Sequence, residues 1–209
     1  MARIEPFERY ASEYEDWFER NHIVYISELQ AIKNQLPANG KKVEIGVGTG
    51  RFAAPLGIKL GLEPSLRMGD MARRRGIRVV SGVAEAIPFA AAQFDVALMV
   101  TTICFLDNLG DAFGEACRIL KPGGYFIAGF VDRNSILGQL YEEKKKASKF
   151  YRLASFYSVD AVVSRLKRAG FRNFNFVQTI FHPPGEIQGI ESVRDGYGQG
   201  SFVVIRAQK

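Results

Sequence analysis

The chain has 209 residues, 47% hydrophobic and 24% charged, which supplies enough apolar material for one well-filled core. No apolar run nears the roughly 20 residues of a membrane helix, and Met1-Ala2-Arg3-Ile4-Glu5-Pro6 lacks a signal-peptide apolar region, so a cytoplasmic protein without a membrane span is expected. The net charge of +6, from 28 basic and 22 acidic residues, decides nothing alone, while two cysteines and two histidines exclude a disulfide framework and a structural zinc site, so no metal is expected.

Over residues 7–36 the apolar positions Phe7, Tyr10, Tyr14, Trp17, Phe18, Val24, Leu29, Ile32 and Leu36 recur mostly at steps of three or four, which predicts two amphipathic helices. Pro37-Ala38-Asn39-Gly40 ends them, and Lys42-Val43-Glu44-Ile45 reads as a first strand running into glycines. Residues 51–56 suit a short helix and 58–62 a second strand, and Ser65 suits the N-cap of a helix ending near Gly76. Further strands are expected at 77–80, 94–100 and 125–131, with a helix at 109–120 stopped by Lys121-Pro122-Gly123-Gly124. A charged helix over 137–147, a capped helix over 158–169 and strands at 174–181 and 202–207 complete the pattern. The alternation of strand and helix is that of a doubly wound α/β sheet. A single domain spanning 1–209 is expected, with a helical cap (1–40), a ligand-binding core (41–131), a substrate cap (132–157) and a closing helix and strand pair (158–209).

Three segments carry the chemistry. The first is Glu44-Ile45-Gly46-Val47-Gly48-Thr49-Gly50, a strand-to-helix glycine loop where missing side chains let a ligand meet backbone. A dinucleotide fingerprint would need its third glycine at position 51, which is Arg51; Gly46, Gly48 and Gly50 fit G-x-G-x-G instead, which disfavours NAD. In the second, Gly61-Leu62-Glu63-Pro64-Ser65, Glu63 ends the second strand. A carboxylate there can accept hydrogen bonds from both ribose hydroxyls, and it also reads as an acid favouring a helix N-terminus. The third, Ser81-Gly82-Val83-Ala84-Glu85-Ala86-Ile87-Pro88-Phe89, pairs small residues suited to an adenine slot with an apolar floor.

The order of these segments resembles the UbiE/COQ5-like (methyltransferase type 11) group of class I S-adenosylmethionine-dependent methyltransferases. The matching pieces are residues 43–50, Leu62-Glu63-Pro64-Ser65, Ala84-Glu85-Ala86-Ile87-Pro88-Phe89, Phe94-Asp95 and Ile119-Leu120-Lys121-Pro122-Gly123-Gly124. The resemblance implies a mostly parallel, seven-stranded sheet with helices on both faces and an antiparallel last strand, with S-adenosyl-L-methionine as cofactor. It places Glu44, Gly46, Gly48 and Gly50 at the methionine end, Glu63 and Pro64 at the ribose, and Ala84 and Glu85 at the adenine. Tyr14 and Trp17 match a Tyr-x-x-Trp-Phe segment that closes over the donor, although core packing explains aromatics at helical spacing nearly as well. One departure stands out: where many relatives carry an Asp for the adenine amino group, this chain has Val83, leaving that contact to Glu85 or to backbone.

After the fourth strand, Thr101 is the nearest neighbour of such a cofactor, and Thr101-Thr102-Ile103-Cys104-Phe105-Leu106 lacks the Asn/Asp-Pro-Pro-aromatic pattern of base N-methylating enzymes. Cys104 reads as a buried hydrophobe. Methyl transfer from a sulfonium needs no acid for the leaving group, so alignment and exclusion of water suffice. The catalytic residue is accordingly unassigned, with His182 the one proton-acceptor candidate. The expected reaction is in-line transfer to a small-molecule acceptor. Two alternatives remain open: a catalytically silent adenosyl-ligand binding protein, and an RNA-directed methyltransferase using the basic runs Arg73-Arg74-Arg75 and Lys144-Lys145-Lys146, which more simply read as solvated helix faces.

Overall fold

The computed structural model describes residues 4–183 and 185–209. The amino-terminal segment forms three helices rather than two: α1 (Glu5–Arg9), α2 (Ala11–Arg20) and α3 (His22–Gln35). Breaks fall at Tyr10 and Asn21, both at non-helical backbone angles. At the second, the Asn21 side-chain amide donates to the Trp17 carbonyl at 2.9 Å, competing with the helical ladder. Residues 51–57 form successive turns instead of the expected helix, closed by Ile58 N–H donating to the Ala53 carbonyl (2.9 Å). Pro55 lacks an N–H and Gly57 sits at φ +71°, so no helical ladder can propagate there.

The strands are β1 (Lys42–Ile45), β2 (Leu60–Leu62), β3 (Arg78–Val80), β4 (Phe94–Val100), β5 (Leu120–Val131), β6 (Arg172–Thr179), β7 (Arg194–Asp195) and β8 (Phe202–Gln208). They form one eight-stranded sheet in the order β3-β2-β1-β4-β5-β8-β6-β7. The first five are parallel, and β8 inserts antiparallel between β5 and β6. The eighth strand, absent from the sequence-based expectation of seven, is β7. Its two residues add to the edge of β6 opposite Val177 and Gln178, too few to leave a periodic signature. β5 begins five residues early because Leu120 already pairs with Phe94; the Pro-Gly-Gly insertion then bulges out until Tyr125 meets Val96.

Helices α4 (Leu66–Arg74), α5 (Leu109–Ile119), α6 (Ile136–Lys144) and α7 (Val159–Arg168) complete the frame. Ser65, Asn108, Ser135 and Ser158 cap them through side-chain oxygens, the first and the last as the sequence predicts. The sheet is covered on both faces. Along β4, Ala97 and Met99 face α5 and α7 with Phe113, Val162 and Leu166, while Val96, Leu98 and Val100 face the opposite layer with Ile32 of α3 and Ala72 of α4. Covering both faces makes β4 nearly continuously apolar. It also leaves the carboxyl ends of β1, β2 and β4 as an open rim at the point where strand order reverses.

Candidate functional site

At that rim lies a cleft of about 700 Å³. Its floor is Gly46 and Gly48 after β1, its sides are Glu63 and Pro64 after β2 and Gly82 to Glu85 after β3, and Thr101 and Thr102 close it after β4. Ile4, Phe7 and Tyr14 from the amino-terminal helices roof it, and Met68 and Leu106 add apolar wall. Gly46 and Gly48 sit at φ +72° and +54°. At Gly46 a Cβ would stand 2.4 Å from Thr102 Cγ2, so a side chain there would both strain the turn and wedge it against the end of β4.

The acids of this rim are held deliberately. Glu63 accepts from the backbone N–H of Gly48 (2.8 Å) with one oxygen and of Ser65 (2.9 Å) with the other, which locks the carboxyl at the cleft wall. Burial nevertheless pushes its pKa up to about 7. Glu44, behind the loop, is 1% exposed. Its Oε2 has no hydrogen-bond partner among the described residues, and burial drives the group well above the usual carboxylate range. The loop over residues 83–89 is bound to α5: Arg118 donates to the Ile87 and Phe89 carbonyls (2.8 Å each), and Glu115 accepts from Ile87 N–H (2.8 Å).

A second chamber of about 820 Å³ adjoins the cleft, sharing Phe7, Tyr14, Thr101 and Phe105 with it. Nine of its fourteen lining residues are aromatic. Tyr141 and Tyr151 stack at 4.9 Å between centroids, Tyr151 lies parallel to Phe105 at 6.1 Å, and Phe7 meets Phe105 edge-on at 4.8 Å. Tyr14 stands at the junction of the two spaces; burial raises its phenol above the ordinary range and the Thr101 hydroxyl draws it back down. Thr101 itself holds φ +50°, fixed by its N–H donating to the Gly129 carbonyl at 2.8 Å. The roof is tied down by Glu15 of α2, which accepts from Arg51 (2.9 Å) and Arg75 (2.5 Å).

Comparison with known proteins matches residues 43–128 to a family described as a methyltransferase domain. An uncharacterized protein of Methanocaldococcus jannaschii is 46% identical over 97% of this chain and 98% of its own. A solved Thermotoga maritima structure is 53% identical with a TM-score of 0.96, covering 99% of both chains; it is described as a SAM-dependent methyltransferase and possible histamine N-methyltransferase. The chain belongs to the class I S-adenosylmethionine-dependent methyltransferases. Demethylmenaquinone methyltransferase of Chlorobaculum parvum, 29% identical over 68% of this chain and 69% of its own, lies in the UbiE/COQ5-like branch named by the motifs. The methyltransferase is therefore an enzyme whose cofactor is S-adenosyl-L-methionine.

The methyltransferase brings Tyr14, Gly46, Gly48, Glu63, Pro64, Ala84, Glu85 and Thr101 together around the cleft, as grouped from sequence. Four expected residues lie elsewhere. A Cβ on Gly50 would stand 2.5 Å from Ile77 Cδ1 and 3.3 Å from Ala72, so this glycine makes room for Ile77 and α4. Glu44 is sealed behind the loop, and Trp17 faces the second chamber. His182 is exposed beyond β6, paired through Nδ1 with Glu191 in a shallow surface hollow that shares no lining residue with either space. Glu85 lines the cleft, yet its Oε1 already accepts from Asp107 N–H (2.8 Å) and Asn108 N–H (3.3 Å), which staples the loop to α5. The basic runs are partly spent internally: Arg75 also donates to the Thr49 carbonyl (2.9 Å), Arg73 pairs with Asp70 (2.7 Å) and Lys145 with Glu142 (2.8 Å). Sequence reasoning missed Phe7, Met68 and Glu28; only Glu28 carried a signal, an acid at the centre of the apolar face of α3. Among the described residues no helix is long and apolar enough to cross a membrane.

Proposed function

We propose that the methyltransferase moves a methyl group in line from its donor, held in the cleft, to a small organic acceptor held in the aromatic chamber. The observation that carries this reading is the junction: two cavities, one lined by loops and one by rings, meeting at Tyr14, Thr101 and Phe105. On this reading Glu63 receives the ribose hydroxyls, since its two backbone N–H bonds leave further lone pairs for the cleft. Met68, Val83, Ala84 and Leu106 form the adenine slot, whose polar edge is read by backbone because position 83 is Val and the Glu85 carboxylate is partly engaged. Gly46 lets the donor's methionine part approach the loop, and Phe7 with Tyr14 closes over it. Residues 132–157 act as the acceptor cap, contributing Tyr141, Phe150 and Tyr151, with Lys149 clasping Glu13 of α2 at 2.7 Å.

The donor supplies an activated methyl group whose leaving sulfur departs neutral. The chain's own contribution is alignment and a dry environment, which for a displacement of this kind can account for several orders of magnitude in rate. The relatives' names point to two acceptor classes, a demethylated menaquinone and histamine. Titration calorimetry tests the donor half. The wild type is expected to bind S-adenosylmethionine and its demethylated product, and Glu63→Ala to weaken both about 30-fold with the fold intact, from loss of charge-assisted hydrogen bonds. Absence of binding by the wild type ends the reading.

A further inference from the structure

We propose that Glu28 is the anionic partner of a protonated nitrogen on the acceptor, so that the aromatic chamber selects small organic amines. The inference rests on the chamber being the acceptor site. On α3 the buried face runs Val24, Tyr25, Ser27, Glu28, Ala31 and Ile32, so Glu28 occupies a position that packing alone would fill with an apolar side chain. It is 4% exposed, and it lines the chamber. Its carboxyl makes no hydrogen bond or ion pair with any described residue. Ser27 beside it is fully engaged, donating to the Ile23 carbonyl at 2.9 Å and accepting from Glu191 N–H at 2.9 Å. A buried, unpaired acid opposes folding, so its use lies with something that enters the space.

The surroundings say what that is. Ring faces attract cations, and Tyr14, Trp17, Phe105, Tyr141 and Tyr151 share this chamber with the one buried carboxyl. The other charged groups lining it are Glu13 and Arg20, both on the exposed side of α2; Glu13 is paired with Lys149 and Arg20 donates to the Asp16 carbonyl. The three tyrosine phenols stay protonated, all held above their ordinary range by burial. No cation among the described residues pairs with Glu28 inside the chamber. Burial pushes Glu28 up to about 8, so without a charged partner it holds a proton at neutral pH. An ammonium group entering the chamber reverses that preference, and the displaced proton leaves to solvent.

The test uses the full chain saturated with S-adenosylhomocysteine and a probe set of benzylamine, 2-phenylethylamine and 3-phenylpropylamine against the three alcohols of the same skeletons. At least one amine is expected to bind tenfold or more tightly than its alcohol and, at pH 7, to release close to one proton, read by calorimetry in buffers of differing ionisation enthalpy. Glu28→Gln, which keeps shape and leaves the donor cleft untouched, is expected to erase both the preference and the proton release while binding S-adenosylhomocysteine as the wild type does. Equal affinity for amines and alcohols, or proton release unchanged in Glu28→Gln, overturns the inference. Those failures leave the donor reading standing, because S-adenosylhomocysteine binding is measured first and separately.

Discussion

The rim cleft and the aromatic chamber share four residues, yet they are built by opposite means. The cleft is made of short loops at strand ends, and its two carboxyls, Glu63 and Glu85, are each pinned by two backbone N–H groups. The chamber is made of side chains from α2, α3, the turn at residues 103–105 and the 132–157 segment, brought together from across the chain. A space lined by backbone can serve one donor throughout a family, because the fold itself dictates where the N–H groups point. A space lined by side chains changes its ligand with each substitution.

Three experiments break or sharpen that contrast. Gly46→Val should have the largest effect: the positive φ and the 2.4 Å approach to Thr102 leave no room for a side chain, so donor affinity is expected to fall more than about 100-fold, with a lowered Tm. The second reads the buried acids. Glu28 and Glu63 have pKa values raised by burial, to about 8 and about 7, so the folded chain holds protons that the unfolded chain has lost. Their contribution is complete below the ordinary carboxylate value of 4.5 and is lost as pH rises through 7 to 8. Ligand-free protein should therefore lose roughly 3.5 kcal/mol of stability between pH 5 and pH 8 through Glu28 alone. Denaturant titration of Glu28→Gln should show a flatter profile, equal to wild type near pH 5 and above it near pH 8; a parallel profile would mean Glu28 is ionised in the fold. The smallest effect is expected for Tyr151→Leu. Removing the ring between Tyr141 and Phe105 should raise the acceptor KM about tenfold and leave the donor Kd within twofold. An equal loss in both would show that the two spaces act as one.

Much of the cleft's lining was legible from residues alone. Gly46, Gly48, Glu63 and Ala84 sit where their strands end, and a strand end followed by glycine is a local event that needs no distant partner to interpret. Gly50 and Glu44 do not line the cleft, for a common reason: the same turn faces the cleft on one side and α4 on the other, and spacing does not say which glycine or acid faces which. Trp17 was grouped with Tyr14, three residues earlier on α2, but one faces the chamber while the other stands at the junction. Residues 51–57 failed as a helix through Pro55 and Gly57, a weighting of breakers that periodicity underestimates. The strand β7 was invisible, since two residues at an edge have no period.

The sequence by itself determined the alternation of strands and helices and the turn chemistry at the sheet's rim, which depend on neighbours within about ten residues, and through the family resemblance of those segments in order it pointed to the donor. Only the tertiary structure decided that Glu28 lies beside Tyr141 and Tyr151, more than a hundred positions away, and that His182 lies with neither space. The reason is physical: a side chain's burial and charge state are set by what packs around it, and packing is a property of the whole sheet and both its layers rather than of any segment.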